Sequence, residues 1–409
     1  MTAATVIRPL APSEAIFANS EVLVGYSTRV AGRLDLTALS AAFEAVVRAR
    51  PVLGARLESD GHGGHLLLES TGAPPEISVA DGDPEQLLTG AQLDQRRTLG
   101  ALCVVRDGDN AGVTLVTHHS IADASHSLTV FGELWSCYTD LTRGCLPDLP
   151  SYGFPRPVED LLRERGVEKI DTPALPPRPV GVARINPGPD DYQLPRTARC
   201  RLTREQTAAL VELGHREKTT INGLASAAIL LTEAELRGLP LPELSYTYSV
   251  DLRARVRPPI GMTEGTNVLG FANFVPPSGS TLVGLARGIS DALRAGLCAG
   301  IVQQTPLHIP EIAAGPPPSA PGIVLATNWG RVCGPRLPDT LRVTDFRSIM
   351  LGKPDKTGHR LQQPSGTIII STFDDRLSIE IHHPDETTAE QRVRVRLLAA
   401  HLSTSGARV

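Results

Sequence analysis

No apolar run in this 409-residue chain approaches the roughly 18 positions that a membrane-spanning helix requires, so no membrane span is predicted. Met1 to Leu10 lacks a basic region followed by a continuous apolar stretch, and with no secretory signal the chain reads as cytoplasmic. Positive charge is not in excess: 40 lysines and arginines against 44 acidic residues give a net charge of −4, which argues against nucleic acid as a partner. Only four of those 40 basic residues are lysines, a coding bias without chemical content. The six cysteines, Cys103, Cys137, Cys145, Cys200, Cys298 and Cys333, include no C-x-x-C pair. They fit neither a disulfide framework nor a structural zinc site, and read as free thiols packed like small apolar side chains. No internal repeat of short period is present.

What is present is ordinary globular composition, with 41% hydrophobic and 21% charged residues, which indicates neither disorder nor a coiled coil. The length is too great for one core and fits two domains of roughly 200 residues each. Leu36, Leu39, Phe43, Val46 and Val47 share one helical face, with Asp35 as N-cap and Pro51 just past the end, which predicts a helix over about 36–49. Residues 143–195 are crowded with proline and read as a crossing linker around a short helix near Val158 to Arg165. The second half restarts at Thr203-Arg204-Glu205-Gln206, a capping box. A nearly all-apolar helix from about Ile221 to Arg237 is predicted to be buried. Strand-like runs follow at Ser245 to Val250, Ile323 to Thr327, Thr367 to Ser371 and Leu377 to His382.

The most informative tract is Val113-Thr114-Leu115-Val116-Thr117-His118-His119-Ser120-Ile121-Ala122-Asp123. Its first part is β-branched and reads as a buried strand, with both histidines where the strand stops. A strand end is held by the sheet yet can face a cleft, and histidine takes and returns a proton near neutral pH, which suits a general base. From these residues alone other readings stay open. His118, His119, Asp123 and His126 are four candidate metal ligands within nine residues. Neighbouring strand residues point to opposite faces, however, and the helical pair of histidines at i and i+4 found in zinc hydrolases is absent. Two histidines satisfied by hydrogen bonds at a strand end are the bland alternative. A second pair, His382-His383, has Thr387 rather than an acid four residues on and reads as structural.

The tract does not stand alone. Together with Glu133-Leu134-Trp135-Ser136-Cys137-Tyr138-Thr139-Asp140 it resembles the active-site segment of the CoA-dependent acyltransferase superfamily, which includes chloramphenicol acetyltransferase and peptide-synthetase condensation domains. Within it, the chain is most similar to the polyketide-associated acyltransferases typified by phthiocerol/phthiodiolone dimycocerosyl transferase. The likeness covers most of the chain: Ile7-Arg8-Pro9-Leu10 with Ser13-Glu14, Arg50-Pro51-Val52-Leu53, Asn222 to Arg237, Tyr248-Ser249-Val250-Asp251-Leu252-Arg253, Thr266-Asn267-Val268-Leu269-Gly270 and Gly300-Ile301-Val302-Gln303-Gln304.

The resemblance implies an α/β fold of two chloramphenicol-acetyltransferase-like domains, each a mixed sheet with flanking helices, and a tunnel between them. The boundaries drawn are 1–175 for the domain with the histidine motif, 176–195 for a proline-rich crossing linker, and 196–409 for the second domain. It implies His119 as catalytic base, Asp123 as a structural residue paired with Arg253, and Thr327, Asn328 or Asn267 as contacts to substrate or oxyanion. His126 is a further candidate contact, and His118 reads as a packing residue. The implied activity is transfer of an acyl group from a thioester to a hydroxyl of a polyketide or similar small molecule. The donor is acyl-CoA as co-substrate or an acyl carrier protein, with no tightly bound cofactor and no metal. An amide-forming condensation enzyme and a noncatalytic binder of the same fold are the rivals. One departure stands out: Ala124 follows Asp123 where the family motif has glycine, which raises the question of local backbone geometry.

Overall fold

Caps and apolar faces divide the chain into local elements, and the computed structural model describes residues 5–70, 72, 75, 77–170, 196–310, 322–353, 366–383 and 386–403. In the first half these are β1 (Val6–Pro9), α1 (Pro12–Ala18), β2 (Leu23–Gly32), α2 (Leu36–Ala49), β3 (Arg56–Ser59), β4 (His65–Leu68), β5 (Ile77–Asp81), β6 (Gly100–Asp107), β7 (Asn110–His118), α3 (Ala124–Thr142) and α4 (Val158–Glu164). The second half carries β8 (Arg196–Arg201), α5 (Arg204–Arg216), α6 (Ile221–Arg237), β9 (Ser245–Asp251), β10 (Leu269–Phe274), α7 (Leu282–Cys298) and α8 (Ile301–Gln304). It ends with β11 (Ile323–Arg331), β12 (Leu341–Leu351), β13 (Thr367–Phe373), β14 (Arg376–His383) and α9 (Thr388–Ser403). None of the described helices is long and apolar enough to cross a membrane.

The helix starts follow from side chains that satisfy orphan backbone donors. Asp35 accepts from the amides of Thr37 and Ala38 to open α2, and Thr203 with Gln206 closes the expected capping box on α5. Helix α6 runs from a Thr220 cap to Gly238, which ends it in the left-handed conformation at φ 61°. Its face from Gly223 to Leu230 is buried, as its apolar composition predicts. Cys103, Cys137 and Cys200 are buried thiols, whereas Cys145, Cys298 and Cys333 are free and exposed.

Three sheets form. A small one has the order β1-β4-β3, a five-stranded sheet the order β12-β2-β7-β6-β5, and a six-stranded sheet the order β10-β9-β11-β13-β14-β8. Both larger sheets are mixed, since β5 runs parallel to β6 and β11 parallel to β9 and β13. The architecture is thus α/β. One core packs Phe43, Val46, Leu134 and Trp135 of α2 and α3 on the five-stranded sheet. The other packs α5, α6, α7 and α9 on the face of the six-stranded sheet that carries Tyr246, Tyr248, Ile370 and Ile379. Each fully buried aliphatic side chain contributes roughly 1.5–3 kcal/mol.

Chain order does not settle which sheet a strand joins. Residues 341–351 lie far inside the second half of the sequence, yet β12 pairs antiparallel with β2 along ten positions and completes the first sheet. A boundary that gives all of 196–409 to the second domain therefore misplaces this strand. The proline-rich stretch at 176–195 lies outside the described residues. Strand β12 is fixed by charge as well as by its ladder. Buried Glu380 accepts from the Arg347 guanidinium at 2.6 Å and from the amide and hydroxyl of Ser348 at 2.7 and 2.6 Å. His382 bridges Ser348 and Thr197 through its two ring nitrogens at 3.2 and 3.1 Å, and Arg199 pairs with Asp345. The second histidine pair thus contributes a structural residue, as its spacing predicts.

Candidate active site

Strand β7 delivers the histidines to the seam between the two halves. Its last residue, His118, is fully buried: its amide donates to the Leu99 carbonyl at 2.8 Å, and its Nδ1 accepts from the Ser120 amide at 3.2 Å. Burial pushes its pKa down to about 3, so it is a neutral packing residue at any physiological pH. His119 follows with its amide on the Val22 carbonyl at 2.8 Å. Its ring is half-buried and lies flat on Phe17 of α1, with centroids 4.0 Å apart and planes 9° from parallel. Nδ1 of His119 is buried without a partner of hydrogen-bond geometry. Burial lowers the pKa of this imidazole, while its own carbonyl, the Asp123 charge, Asn267 and the Ala122 carbonyl act the other way.

Asp123 is fully buried and accepts from Arg253 Nη1 and Nη2 at 2.9 and 3.0 Å, in a bidentate pair across 130 residues of sequence. Its carboxylate also takes the Val268 amide at 2.9 Å and caps α3 through the His126 amide at 3.0 Å. Arg253 reaches on to the Met262 carbonyl and to Asp251 at 3.1 and 3.2 Å. Burial disfavours its charge, but the carboxylates of Asp123 and Asp251 outweigh that and hold its pKa up. The segment Gly265 to Val268 lies along the same loop. Thr266 accepts the Asp123 amide at 2.8 Å, and the Asn267 side-chain amide donates to the His119 carbonyl at 2.7 Å. His126 is buried, its Nδ1 stands 3.1 Å from the Gly265 carbonyl, and burial takes its pKa down to about 4.

The remaining sequence candidates divide. Thr327 lies on β11 with its hydroxyl 2.7 Å from that of Ser249 on β9. Asn328 is exposed, and its side-chain oxygen closes on the Gly330 amide at 2.7 Å, where a bulge interrupts β11. Ala124 is the first residue of α3 and is not among the positive-φ residues, so the backbone there asks for no glycine. Among the described residues no cluster of three or more histidine, cysteine or acidic side chains could hold a metal ion.

Residues that carried no role in the sequence reading complete the arrangement. Glu14 is fully buried in α1 and accepts from Arg8 at 2.6 and 2.8 Å, from the Ala11 amide at 2.9 Å and from the Thr266 hydroxyl at 2.8 Å. The Glu14 carbonyl accepts the Ser120 hydroxyl at 2.8 Å. Helix α1 is thereby tied to both halves and carries Phe17 against His119. No local spacing announces the ties to Ser120 and Thr266, because those partners are remote in sequence.

A family model described as phthiocerol/phthiodiolone dimycocerosyl transferase C-terminus matches residues 191–382. The phthiocerol/phthiodiolone dimycocerosyl transferase of Mycobacterium ulcerans (strain Agy99) is 34% identical over 395 residues, covering 92% of each chain. Among solved structures, polyketide synthase associated protein 5 from Mycobacterium tuberculosis superposes over 100% of both chains with a TM-score of 0.84 and 30% identity. The first condensation domain of the calcium-dependent antibiotic synthetase has the same fold at 13% identity, with a TM-score of 0.68 over 98% of this chain and 97% of its own. The chain belongs to the phthiocerol/phthiodiolone dimycocerosyl transferase family of acyltransferases.

Proposed function

We propose that the protein moves an acyl group from a thioester donor to a hydroxyl of a polyketide or related natural product, in the cytoplasm, with His119 as general base. One observation carries this reading: an imidazole that burial keeps neutral, half-open to the seam, on a loop fixed by a bidentate Asp123–Arg253 pair. An alcohol is a poor nucleophile at neutral pH. Nε2 of His119 takes its proton as the oxygen attacks the thioester carbonyl; the C–O bond forms, the C–S bond breaks, and the imidazolium returns the proton to the departing thiolate. A thiolate leaves readily, so transfer is direct and needs no acyl-enzyme. Neither a metal nor a tightly bound cofactor takes part. Asp123 and Arg253 touch neither reactant; they hold the loop. Asn267 contributes through the His119 carbonyl.

The donor is acyl-CoA or an acyl carrier protein. Arg255 and Arg257 stand exposed on the loop that Arg253 anchors, where either donor presents negative charge. Turnover with an acidic carrier protein falls steeply as ionic strength rises, and turnover with acetyl-CoA does so much less.

The test is thiol release from acetyl-CoA and longer acyl-CoAs with hydroxyl and amine acceptors, in wild-type protein and a folded His119→Ala variant. Wild-type protein forms ester, and the variant is slower by about 10²–10⁴. Equal ester formation by both proteins would sink the role of His119. Acylation of amines alone would make the protein a condensation enzyme, and no turnover with any donor a binding protein.

A further inference from the structure

One face of the six-stranded sheet looks toward the first half, and its two ends are treated differently. At the β13–β14–β8 end, β12 covers the face, and Glu380, His382 and Arg199 are buried or half-buried with partners. At the β10–β9–β11 end the face is only partly covered. Along β9, Tyr246, Tyr248 and Val250 turn into the helix layer, so Thr247, Ser249 and Asp251 turn to the seam, each about 6.6–6.8 Å from the next. Register places Leu325 beside Thr247 on one side and Phe271 beside Ser249 on the other, and all of these except exposed Asp251 are half-exposed. The result is a polar rail between apolar walls.

The rail leads to the histidine loop. Asp251 accepts the Ser125 hydroxyl at 2.9 Å, in the first turn of α3, and also binds Arg253. Ser249 and Thr327 share one hydrogen bond at 2.7 Å, which leaves the pair one free O–H and several lone pairs. Asn267 is 4% exposed; its amide is committed to the His119 carbonyl, and its Oδ1, which acts on the His119 imidazole, has no partner of hydrogen-bond geometry. It stands next to the Asp251 end, since Val268 accepts from the Leu252 amide.

We propose that this face binds the acceptor and selects a reduced, polyhydroxylated carbon chain over an alkyl chain of equal length; the proposal rests on the acyltransfer reading of the same site. The apolar walls take the carbon skeleton, and the rail and Asn267 Oδ1 take its hydroxyls. An alkyl chain in the same place leaves those groups dry and unpaired, the situation in which a hydrogen-bonding site discriminates most strongly against an analogue without the hydroxyl.

Binding of a ten-carbon tetraol and of ten-carbon 1,2-diol is measured by calorimetry on wild-type and His119→Ala protein, and on Ser249→Ala/Thr327→Val in both backgrounds. The tetraol binds at least tenfold more tightly than the diol, and the double substitution removes most of that preference. Thr327→Ser, which keeps the hydroxyl, retains it and controls for folding. Equal binding of the two probes, or a preference that survives the double substitution, overturns the inference. Because binding needs no turnover, a preserved preference in a protein whose His119→Ala variant still forms ester at the wild-type rate removes the catalytic reading and leaves this one standing.

Discussion

The carboxylate of Asp123 takes four hydrogen bonds, from both terminal nitrogens of Arg253 and from the amides of Val268 and His126. Burial makes this pair costly to break from one side: Arg253→Ala or Asp123→Ala strands the remaining charge and is predicted to lose about 3–5 kcal/mol. Urea denaturation midpoints check this, and the double variant Asp123→Asn/Arg253→Met is expected to lose less than the two single changes together. Phe17 acts on the base itself. With its ring 4.0 Å from the imidazole, Phe17→Leu frees His119 to tilt, and kcat falls, by up to on the order of 10²-fold, while KM stays level. Phe17→Tyr keeps the stack and is expected to restore most of kcat. Because burial lowers the His119 pKa below 6.5, kcat/KM is expected to be flat from neutral pH upward, with its acid limb below that value. The motif histidines and Asp123 were legible because they fall at one strand end within six residues; the stack of Phe17 on His119 and the tie of Glu14 to Thr266 were not, because those partners arrive from elsewhere in the chain.

Elements with local caps could be read from the sequence, and elements defined by remote partners could not. Helix α2 begins where Asp35 accepts two amides, and α6 stops at Gly238, so their ends are written within a few residues. Helix α1 has only seven residues, no apolar period, and an anchor 252 residues away in Thr266. Strand β12 carries Asp345 and Arg347 in its middle and a register shift between Val343 and Asp345, which breaks the alternation a strand search relies on. Those charges are met by Arg199 of β8, by Glu380 of β14 and by Glu85, all remote in sequence from β12. Removing the shared acceptor is therefore predicted to loosen the strand: Glu380→Ala leaves Arg347 and Ser348 without it. The denaturation midpoint should fall by about 3–5 kcal/mol in stability, with a broadened or split transition as the two sheets lose their common clamp. A single unshifted transition would show that the backbone ladder to β2 holds β12 unaided.

At the scale of the whole molecule, three buried histidines among the described residues set a lower pH limit. Burial takes His118 down to about 3 and His126 and His382 to about 4, from an ordinary 6.5. The unfolded chain binds their protons more tightly, so unfolding takes up protons as pH drops below 6.5. Stability then falls by about 1.4 kcal/mol per pH unit for each histidine until the folded pKa is reached. Thermal unfolding from pH 7.5 to 4.5 is expected to show this loss, and His382→Gln to flatten it. The α/β class and the two-body plan were visible in the sequence, because helix and strand periods alternate along both halves; the exchange of β12 was not, because pairing partners leave no mark on composition. That exchange also sets a timetable for synthesis. Strands β2, β7 and β6 are complete by residue 118, but the strand that closes the β2 edge ends at residue 351. At typical translation speeds the nascent first sheet waits roughly ten seconds to a minute with an open ten-residue edge. A chain cut near residue 175 never receives that strand, and it leaves the ribosome as an aggregation-prone fragment rather than as a domain.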